Sequence, residues 1–472
     1  MRSIDNIIRY LRSMGALLGV ALMVVGLSIS PPTQAQAADS LYVGDRGDNT
    51  VKRFDAATGE FLGAFVKQSL AGLHGPGGLV FDVGGNLIVS DQNAGTSARG
   101  DIQQYSATGN LLKRIVSHSD RNAPAVPRGI VLWNDHLLVA EFSTESRQHK
   151  PVSPGRLLKY TRAGVLVGAF TPPSLSTGAF HPRGLVVGPD GLLYVSNFPD
   201  LVTGLGGHVL RFNPDSGDFV EFIASTGGAT CGCINELNRP EGLVFGPDGN
   251  LYVTSFRASV NDTDKIVVFQ GPNGASPGAY IDRIDLDASF LPRAFAQALL
   301  FGPEGKLFVA ISGNGPATGS VRRYDVTSKT FDVFVPARAQ GGPLRQPWYL
   351  SFGKTDPGTL QYAGSPPPPP AAPNLQRCIC RDGTLFETCA ALDCFSSAEQ
   401  DAICVPACAS RGGLAATGCL FDDPICLAPL AADSWLPRPL TAAPQRSFAA
   451  PRIPSLSTPA KDVIIEPKNA AN

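Results

Sequence analysis

A short motif recurs along this chain, and the residue after its leading proline, or at the equivalent place, changes in chemistry between copies. In order, that position holds Gly77, Arg128, Arg183, Glu241, Gln297 and Trp348. Arginine presents a planar fork of donors that matches a carboxylate or phosphate through two hydrogen bonds. We therefore predict a binding site for an anionic or polyhydroxylated ligand at Arg128, Arg183, Glu241 and Gln297. The alternative is that Arg183 and Glu241 pair across neighbouring repeats, because buried charges must be neutralised, which leaves Arg128 as the unpaired charge.

The elements that would position these residues are strands and tight turns. Two copies of the motif read PRGLVVGPDGLLYVSN from Pro182 and PEGLVFGPDGNLYVTS from Pro240, and the other starts are at Pro76, Pro127, Ala296 and Pro347. Asp-Gly and Asn-Gly accept the positive φ of a two-residue hairpin turn. A second hairpin follows each time, as in LLKYTRAGVLVGAF. Copies that start roughly 50 to 60 residues apart predict repeated units of four antiparallel strands, the blades of a β-propeller.

The two ends of the repeat region complete each other. Residues 41–65 supply three strands without a first one, and QPWYLSFG near residue 350 supplies a first strand without the rest. Pairing them closes a ring and removes the last open sheet edge. The predicted fold class is all-β: a six-bladed β-propeller closed by pairing of both termini, followed by a small disulfide-rich module. A seventh blade that uses residues 359–363 is the alternative.

The repeated PxGLxxxxxGxLYVxD pattern resembles the NHL-type repeat and the wider six-bladed group of SMP-30/gluconolactonase-like proteins, over residues 39–363. One fold hosts many unrelated functions. In sugar-lactonase-like relatives the resemblance implies asparagine and acidic ligands for a divalent cation at the position after the proline, and in peptidylglycine-amidating and streptogramin lyases it implies histidines. Only Glu241 matches the first set, and nothing matches the second. We predict an exported binding module; the alternative is a lactonase-like hydrolase or lyase, with a divalent metal as cofactor at the mouth of the central channel.

Chain direction locates the candidate site. In a blade the first strand starts, and the second strand ends, on the same face, and this face carries the long links of the sequence. Long loops on a rigid scaffold are where binding groups concentrate. The histidines assigned to this long-loop face could also bind metal or act as a base; they are His74, His118, His149, His181 and His208. No G-x-S-x-G nucleophile motif occurs.

Acidic and amide side chains form a further set of candidates on this face. Polar residues end the second strand of four copies: Asp45, Asp91, Glu141 and Asn197. Such short side chains are typical caps of the following turn, and we expect that role rather than metal ligation. The loop from Asn261 to Asp264 combines a glycosylation sequon with acidic residues, but it lacks the glycine and distal glutamate of a calcium loop.

The start of the chain has the order of a secretory signal peptide. Arg2, Arg9 and Arg12 precede an apolar run, and Ala35-Gln36-Ala37 offers a cleavage site. No later run is long enough to span a membrane. We therefore predict a mature protein that is secreted or periplasmic and has no transmembrane segment.

The cysteines are predicted to form disulfides, as is typical of exported proteins. Cys231 and Cys233 lie in a propeller link, where a redox pair or a metal site is the alternative. The other eight are Cys378, Cys380, Cys389, Cys394, Cys404, Cys408, Cys419 and Cys426. Their pairing stays open, because eight cysteines allow 105 connectivities.

The domain boundaries follow from these patterns. The signal peptide is 1–38, the propeller 39–364, the proline-rich linker 365–374, the Cys-rich module 375–428 and a disordered tail 429–472. The formal net charge of −1 at pH 7 argues against a nucleic-acid partner. We expect a monomer that binds a protein, a glycan or a small anionic ligand.

Overall fold

A computed structural model describes residues 39–67, 72–145, 153–172, 179–198, 207–224, 236–363, 374–390 and 397–420. The predicted signal peptide and tail, and nearly all of the linker, lie outside the described residues, so the domain boundaries stay predictions. Five residues singled out in the sequence also lie outside the described residues: His149, Cys231, Cys233, Cys394 and Cys426.

Six four-stranded antiparallel sheets form the larger part of the described structure. Blade 1 joins β24 (Pro347–Phe352) to β1 (Ser40–Asp45), β2 (Thr50–Asp55) and β3 (Phe61–Val66). Blade 2 consists of β4 (Pro76–Phe81), β5 (Leu87–Asp91), β6 (Asp101–Tyr105) and β7 (Leu111–Val116). Blade 3 consists of β8 (Pro127–Trp133), β9 (His136–Glu141), β10 (Arg156–Thr161) and β11 (Leu166–Phe170).

The remaining blades follow the same order. Blade 4 consists of β12 (Pro182–Val187), β13 (Leu193–Asn197), β14 (His208–Phe212) and β15 (Phe219–Ala224). Blade 5 consists of β16 (Arg239–Phe245), β17 (Leu251–Phe256), β18 (Lys265–Phe269) and β19 (Tyr280–Asp285). Blade 6 consists of β20 (Ala296–Phe301), β21 (Leu307–Ile311), β22 (Ser320–Asp325) and β23 (Thr330–Val335).

The predicted closure of the ring is confirmed. Leu41 to Asp45 of β1 pair antiparallel with Phe352 to Pro347 of β24, so strands from both ends of the repeat region share blade 1. The first strands contact their neighbours all round the ring, from β4 to β8, β12, β16, β20 and β24 and back to β4. The fold class predicted from the sequence, a six-bladed propeller closed by both termini, is therefore correct.

Glycine in the P-x-G-L motif lets neighbouring first strands approach each other closely. A Cβ atom on Gly129 would lie 2.7 Å from the carbonyl oxygen of Arg183, and one on Gly184 would lie 2.7 Å from the carbonyl oxygen of Glu241. Both distances are too short for a side chain. Because these contacts join the strands on which the candidate residues lie, the glycines hold Arg128, Arg183 and Glu241 on adjacent strands at one level.

The segment after β24 closes the channel on the face opposite the long loops. Backbone N–H groups of Leu132 and Val187, at the ends of first strands, donate to the carbonyl oxygens of Pro357 and Gly358. Leu360 packs against apolar clusters in several blades and lines a cavity of about 40 Å³ with the first-strand glycines and leucines. Residues 359–363 therefore cover the channel and do not build the seventh blade that was the alternative.

The Cys-rich module has a sheet and a helix. Strand β25 (Asn374–Cys380) lies between β26 (Leu385–Ala390) and β27 (Leu414–Leu420), and helix α1 (Ser397–Cys408) contacts β25 and β27. Disulfides join Cys378 to Cys404 and Cys380 to Cys408, which links β25 to α1. Cys389 and Cys419 are also disulfide-bonded. Of the helices in the described residues, none has the length and apolar character that crossing a membrane requires.

Candidate functional site

The predicted site residues lie near the starts of four first strands, at the mouth of the channel on the long-loop face. All four are buried: Arg128 is 6 % exposed, Arg183 7 %, Glu241 3 % and Gln297 8 %. Arg183 Nη1 lies 2.9 Å from Glu241 Oε1 and 3.3 Å from Oε2, so the alternative of a pair across neighbouring blades is what the structure shows. Gln297 donates instead to the backbone carbonyl of Phe295 in its own link, at 3.4 Å.

Arg128 has no such partner. Its guanidinium makes no ion pair and no hydrogen bond within the part of the chain that the structure describes, and its Nε is buried without an acceptor. The Cζ of Arg128 lies 4.6 Å from the ring centroid of Trp348 and 5.5 Å from that of Phe142. Cation–π contacts stabilise a guanidinium, but they leave its N–H groups without acceptors.

Arg46 is a third cation at the mouth. Its Cζ lies 4.3 Å from the ring centroid of Trp348, so Arg46 and Arg128 share one aromatic ring. Burial lowers the pKa of Arg46, and the neighbouring Arg128 lowers it further. Two guanidinium groups are therefore held near each other although their charges repel.

Aromatic rings continue this pattern to the next blade. The Cζ of Arg183 lies 4.1 Å from the ring centroid of Phe142 and 4.2 Å from that of Phe198. We call Arg46, Trp348, Arg128, Phe142, Arg183 and Phe198 the arginine–aromatic arc. Three of its members are cations, and the carboxylate of Glu241 is paired with one of them, Arg183.

The pKa values at the mouth follow first from burial and then from the neighbouring charges. Burial, then the nearby Arg128, lower the pKa of Arg183 to about 9, while Glu241 opposes the change. The guanidinium therefore stays protonated at neutral pH. Burial raises the pKa of Tyr349 to about 12; the charge of Glu241 adds to this rise, and the charges of Arg128 and Arg183 oppose it. Tyr349, next to Trp348, is thus a neutral phenol at the level of the arc.

Part of the arc was missed by sequence reasoning that considered only the position after the proline. Arg46, Phe142 and Phe198 each follow the polar residue that ends a second strand: Asp45, Glu141 and Asn197. Those polar residues lie opposite the first-strand prolines in the sheet register. The next residue along the chain therefore reaches the same mouth. Comparing the copies at this second position would have found the aromatic half of the arc.

The polar residues that end the second strands have a different role from the one expected. Asp45 does cap its own turn, accepting from the backbone N–H of Gly47 at 3.0 Å. It also accepts from the N–H groups of Arg345 and Gln346, both at 2.7 Å. Asp91, Glu141 and Asn197 likewise accept from N–H groups of the link that leads into the first strand, which belong to His74, Ala125 and His181. They hold the entry links in place, so the turn-capping prediction covers only part of their role.

The histidines are spread over different blades and have separate partners. His118 Nδ1 lies 3.1 Å from Asp101 Oδ1, His181 Nδ1 lies 3.1 Å from the carbonyl oxygen of Phe142, and His208 Nδ1 lies 3.3 Å from Asn197 Nδ2. Across the described residues, no three His, Cys, Asp or Glu side chains come together as a metal site would need. In the acidic loop, Asp262 and Asp264 pair with Lys265 and Arg293.

The donor set at the mouth does not fit a divalent cation. Such an ion takes several oxygen ligands, whereas the described residues of the mouth offer one carboxylate, whose two oxygens already face Arg183. The neighbouring Arg128 would repel an added cation. We derive no chemistry from a metal here.

Comparisons with known proteins agree with the fold. No family model matches the chain, and neither does any curated protein. Among solved structures, virginiamycin B lyase from Staphylococcus aureus matches at 16 % identity and a TM-score of 0.40, over 62 % of this chain and 79 % of that one. The periplasmic gluconolactonase of Pseudomonas aeruginosa matches at 18 % and 0.44, over 67 % and 99 %. A putative 6-phosphogluconolactonase from Bacteroides uniformis matches at 15 % and 0.43, over 67 % and 100 %.

These neighbours are of the kinds that the repeat pattern resembles, namely six-bladed lyases and SMP-30/gluconolactonase-like enzymes. The six four-stranded blades in a closed ring confirm the fold that the resemblance implies. Identity this low carries nothing about activity, so function rests on the residues of this chain.

Proposed function

We propose that this protein is an exported binding module that takes a small anionic ligand at the channel mouth, with Arg128 as the principal contact. One observation carries the proposal: Arg128 is only 6 % exposed, and its guanidinium has no acceptor among the described residues. Burying a charge without a partner costs several kcal/mol of folding free energy. An anion that binds at Arg128 would offset this cost.

The charges around Arg128 support an anion rather than a cation or a neutral molecule. Arg46 and Arg183 add two more guanidinium groups, and among the described residues Glu241, which pairs with Arg183, is the one carboxylate bound to any of the three. Carboxylates and phosphates accept two parallel hydrogen bonds from such a fork. In this proposal the Arg183–Glu241 pair and Gln297 form the wall of the site, and the rings of Trp348 and Phe142 hold Arg128 in position.

The location of the protein is part of the proposal. Disulfides join β25 to α1 in the Cys-rich module. Disulfides persist in oxidising compartments, outside the cytoplasm. Together with the signal-peptide pattern of the first 38 residues, they support a secreted or periplasmic protein.

The proposal is tested by titration calorimetry of the purified mature protein with acetate, gluconate, glutarate and inorganic phosphate. We expect at least one of these probes to bind, and Arg128→Gln to weaken that probe at least tenfold. Arg323→Gln is the matched control, because Arg323 forms its ion pair with Asp332 on the outer strands of blade 6. The control should bind as the wild type does.

Two results would overturn the proposal. One is the absence of binding of any of these probes to the wild type. The other is a probe that binds with equal affinity to wild type and Arg128→Gln, since the bound anion would then lie away from the mouth. A melting curve for each variant shows that the comparison is between folded proteins.

A further inference from the structure

A second arginine without a partner lies on the blade next to the arc. Arg239 begins β16, two residues before Glu241. Within the described residues its guanidinium makes no ion pair and no hydrogen bond, and its Nε is buried without an acceptor. Burial lowers the pKa of Arg239, the charge of Arg293 lowers it further, and that of Asp264 opposes this. Arg239 therefore resembles Arg128 in having no acceptor for its guanidinium, although its side chain is partly exposed.

The neighbour of Arg239 is fixed in place. Arg293 Nη2 lies 2.5 Å from Asp264 Oδ1, and its Cζ lies 4.0 Å from the ring centroid of Phe295 and 5.2 Å from that of Phe256. Asp264 is fully buried and also accepts from the backbone N–H of Phe295. Because its carboxylate is already bound to these groups, Asp264 neutralises Arg293 and leaves Arg239 in excess.

Packed rings connect this second cationic region to the arc. The ring centroids of Phe256 and Phe198 lie 6.4 Å apart, and Phe198 lies under Arg183. Two unpaired arginines, Arg128 on blade 3 and Arg239 on blade 5, thus lie on either side of the neutral Arg183–Glu241 pair. One arginine without an acceptor therefore lies at each end of this row, with the ion pair of Arg183 and Glu241 between them.

We infer that the ligand carries two separated anionic groups, one bound by Arg128 and the other by Arg239, with an uncharged body over the Arg183–Glu241 pair. This inference rests on the proposed function and narrows it to the class of dianions, of which the α,ω-dicarboxylates are the simplest. A monoanion would bind at one end and leave the other arginine without an acceptor. A second carboxylate at the right distance gains the second pair of hydrogen bonds without a second loss of translational freedom.

The test compares α,ω-dicarboxylates from glutarate to azelate with the monocarboxylate of the same length, by titration calorimetry. We expect one chain length at which the dicarboxylate binds the wild type at least tenfold more tightly than its monocarboxylate. In Arg239→Gln the ratio of the two affinities should fall to within about twofold of one. Arg239→Lys is the second variant: it keeps the charge without the fork and should give an intermediate ratio. Arg323→Gln should keep the wild-type ratio.

The outcomes separate this inference from the proposed function. If mono- and dicarboxylates bind the wild type equally and Arg128→Gln weakens both, the site is a one-anion site and the inference is wrong while the proposed function stands. The inference is equally wrong if a dicarboxylate preference survives in Arg239→Gln. If no carboxylate binds and phosphate alone requires Arg128, the proposed function stands and the two-ended ligand is excluded. If none of the probes binds, both are overturned.

Discussion

At the scale of single residues, the mouth combines one neutralised pair with cations that lack partners. Arg183 and Glu241 are both buried and lie 2.9 Å apart, so each removes most of the burial cost of the other. Removing one member of such a pair leaves an uncompensated charge. Arg128 is already in that state, stacked on Trp348 and Phe142 but without an acceptor. Breaking the Arg183–Glu241 pair and removing the charge of Arg128 should therefore have opposite effects on the free energy of unfolding.

The variant Glu241→Gln should lose stability. It leaves Arg183 charged and buried between two phenylalanine rings, and breaking a buried pair in this way costs about 3–5 kcal/mol. Denaturant unfolding of the mature protein measures the change. Glu60→Gln is the control, because Glu60 is exposed in a turn, and it should leave the unfolding midpoint unchanged. A Glu241→Gln midpoint equal to that of the control would show that the pair does not hold the mouth together.

The variant Arg128→Met should keep or gain stability when no ligand is present. It removes a buried charge without an acceptor and keeps an apolar stem against Trp348. The lost cation–π contacts are worth about 1 to 2 kcal/mol, less than the burial cost of the charge. The same denaturant series measures it. A loss of stability as large as that of Glu241→Gln would mean that Arg128 has a structural partner and is not held ready for a ligand.

The sequence predicted about half of this site. Comparing the copies after the proline identifies Arg128, Arg183 and Glu241, because that position faces the channel in every blade. It does not identify Arg46, Phe142 or Phe198, which reach the mouth from the end of the second strand. The sequence also could not decide whether the partner of Arg183 is a ligand or Glu241, because the answer depends on the distance between side chains on two neighbouring blades. That Gln297 belongs to the binding site remains a prediction, since its amide donates to the carbonyl oxygen of Phe295 in its own entry link.

At the scale of elements, the first strands and the links that enter them set the geometry of the mouth. Gly129 and Gly184 allow backbone to lie against backbone between blades. Asp45, Asp91, Glu141 and Asn197 fix the entry links through backbone N–H groups. The repeat pattern predicted the strands, because glycine and proline at fixed places impose them. It predicted the turn cap seen at Asp45 but not the contacts of these polar residues with the entry links, since those links are distant from the second strand's end in sequence.

Gly129→Ala tests the packing between first strands. The added methyl group would lie 2.7 Å from the carbonyl oxygen of Arg183, and overpacking of this kind costs about 1–3 kcal/mol. Gly168→Ala is the control, because the nearest atom to its Cβ would be 3.5 Å away, in an outer strand. We expect a lower unfolding midpoint for Gly129→Ala only. Equal midpoints for the two variants would contradict close contact between β8 and β12.

Blade 2 should give the protein a distinctive pH dependence. Asp91 is fully buried, and its neighbour on the third strand is the uncharged amide of Gln103. The equivalent residue of blade 1, Asp45, instead has a cation as its neighbour, with Lys52 Nζ 2.6 Å from its Oδ2. Burial raises the pKa of Asp91 to about 7, and the neighbouring Asp101 adds to this. The folded state therefore takes up a proton near neutral pH that the unfolded state takes up only near pH 4. Stability from this group is therefore fully present below about pH 4 and is lost progressively as pH rises from there through about 7.

The expected size of this effect is about 1 kcal/mol between roughly pH 8 and pH 6, since one pKa unit corresponds to about 1.4 kcal/mol. Asp91→Asn keeps an oxygen for the backbone N–H of His74 and removes the titration. The variant should be the more stable near pH 8, its advantage over the wild type should shrink by about 1 kcal/mol on going to pH 6, and the two curves should converge only toward pH 4. Parallel curves over this range would show that Asp91 does not titrate there.

At the scale of the whole molecule, the ring is closed twice. Strands β1 and β24 join the two ends of the repeat region in blade 1. The segment that follows β24 then covers the channel on the opposite face, with Leu360 packed against several blades. The first closure could be predicted, because the incomplete end repeats complement each other. The second could not, because residues 353–363 resemble no other part of the repeat.

Leu360→Ala measures the contribution of the covering segment. Large-to-small changes at packed apolar sites cost about 2–5 kcal/mol, and the partial exposure of Leu360 places the expected loss near the lower end. Leu112→Ala is the control, because Leu112 is exposed on the outer strand β7. The unfolding midpoint should fall for Leu360→Ala and should equal that of the wild type for Leu112→Ala. Equal midpoints for the two variants would mean that the covering segment does not stabilise the ring.

The measurement that tests the account most directly is X-ray diffraction, with selenium anomalous scattering, from crystals soaked in selenate, a tetrahedral dianion. We predict an anomalous peak at the channel mouth, within hydrogen-bond distance of the Arg128 guanidinium, that disappears in Arg128→Gln crystals treated in the same way. Selenate bound only elsewhere on the protein, or an Arg128 side chain paired with a carboxylate of the chain itself, would contradict it.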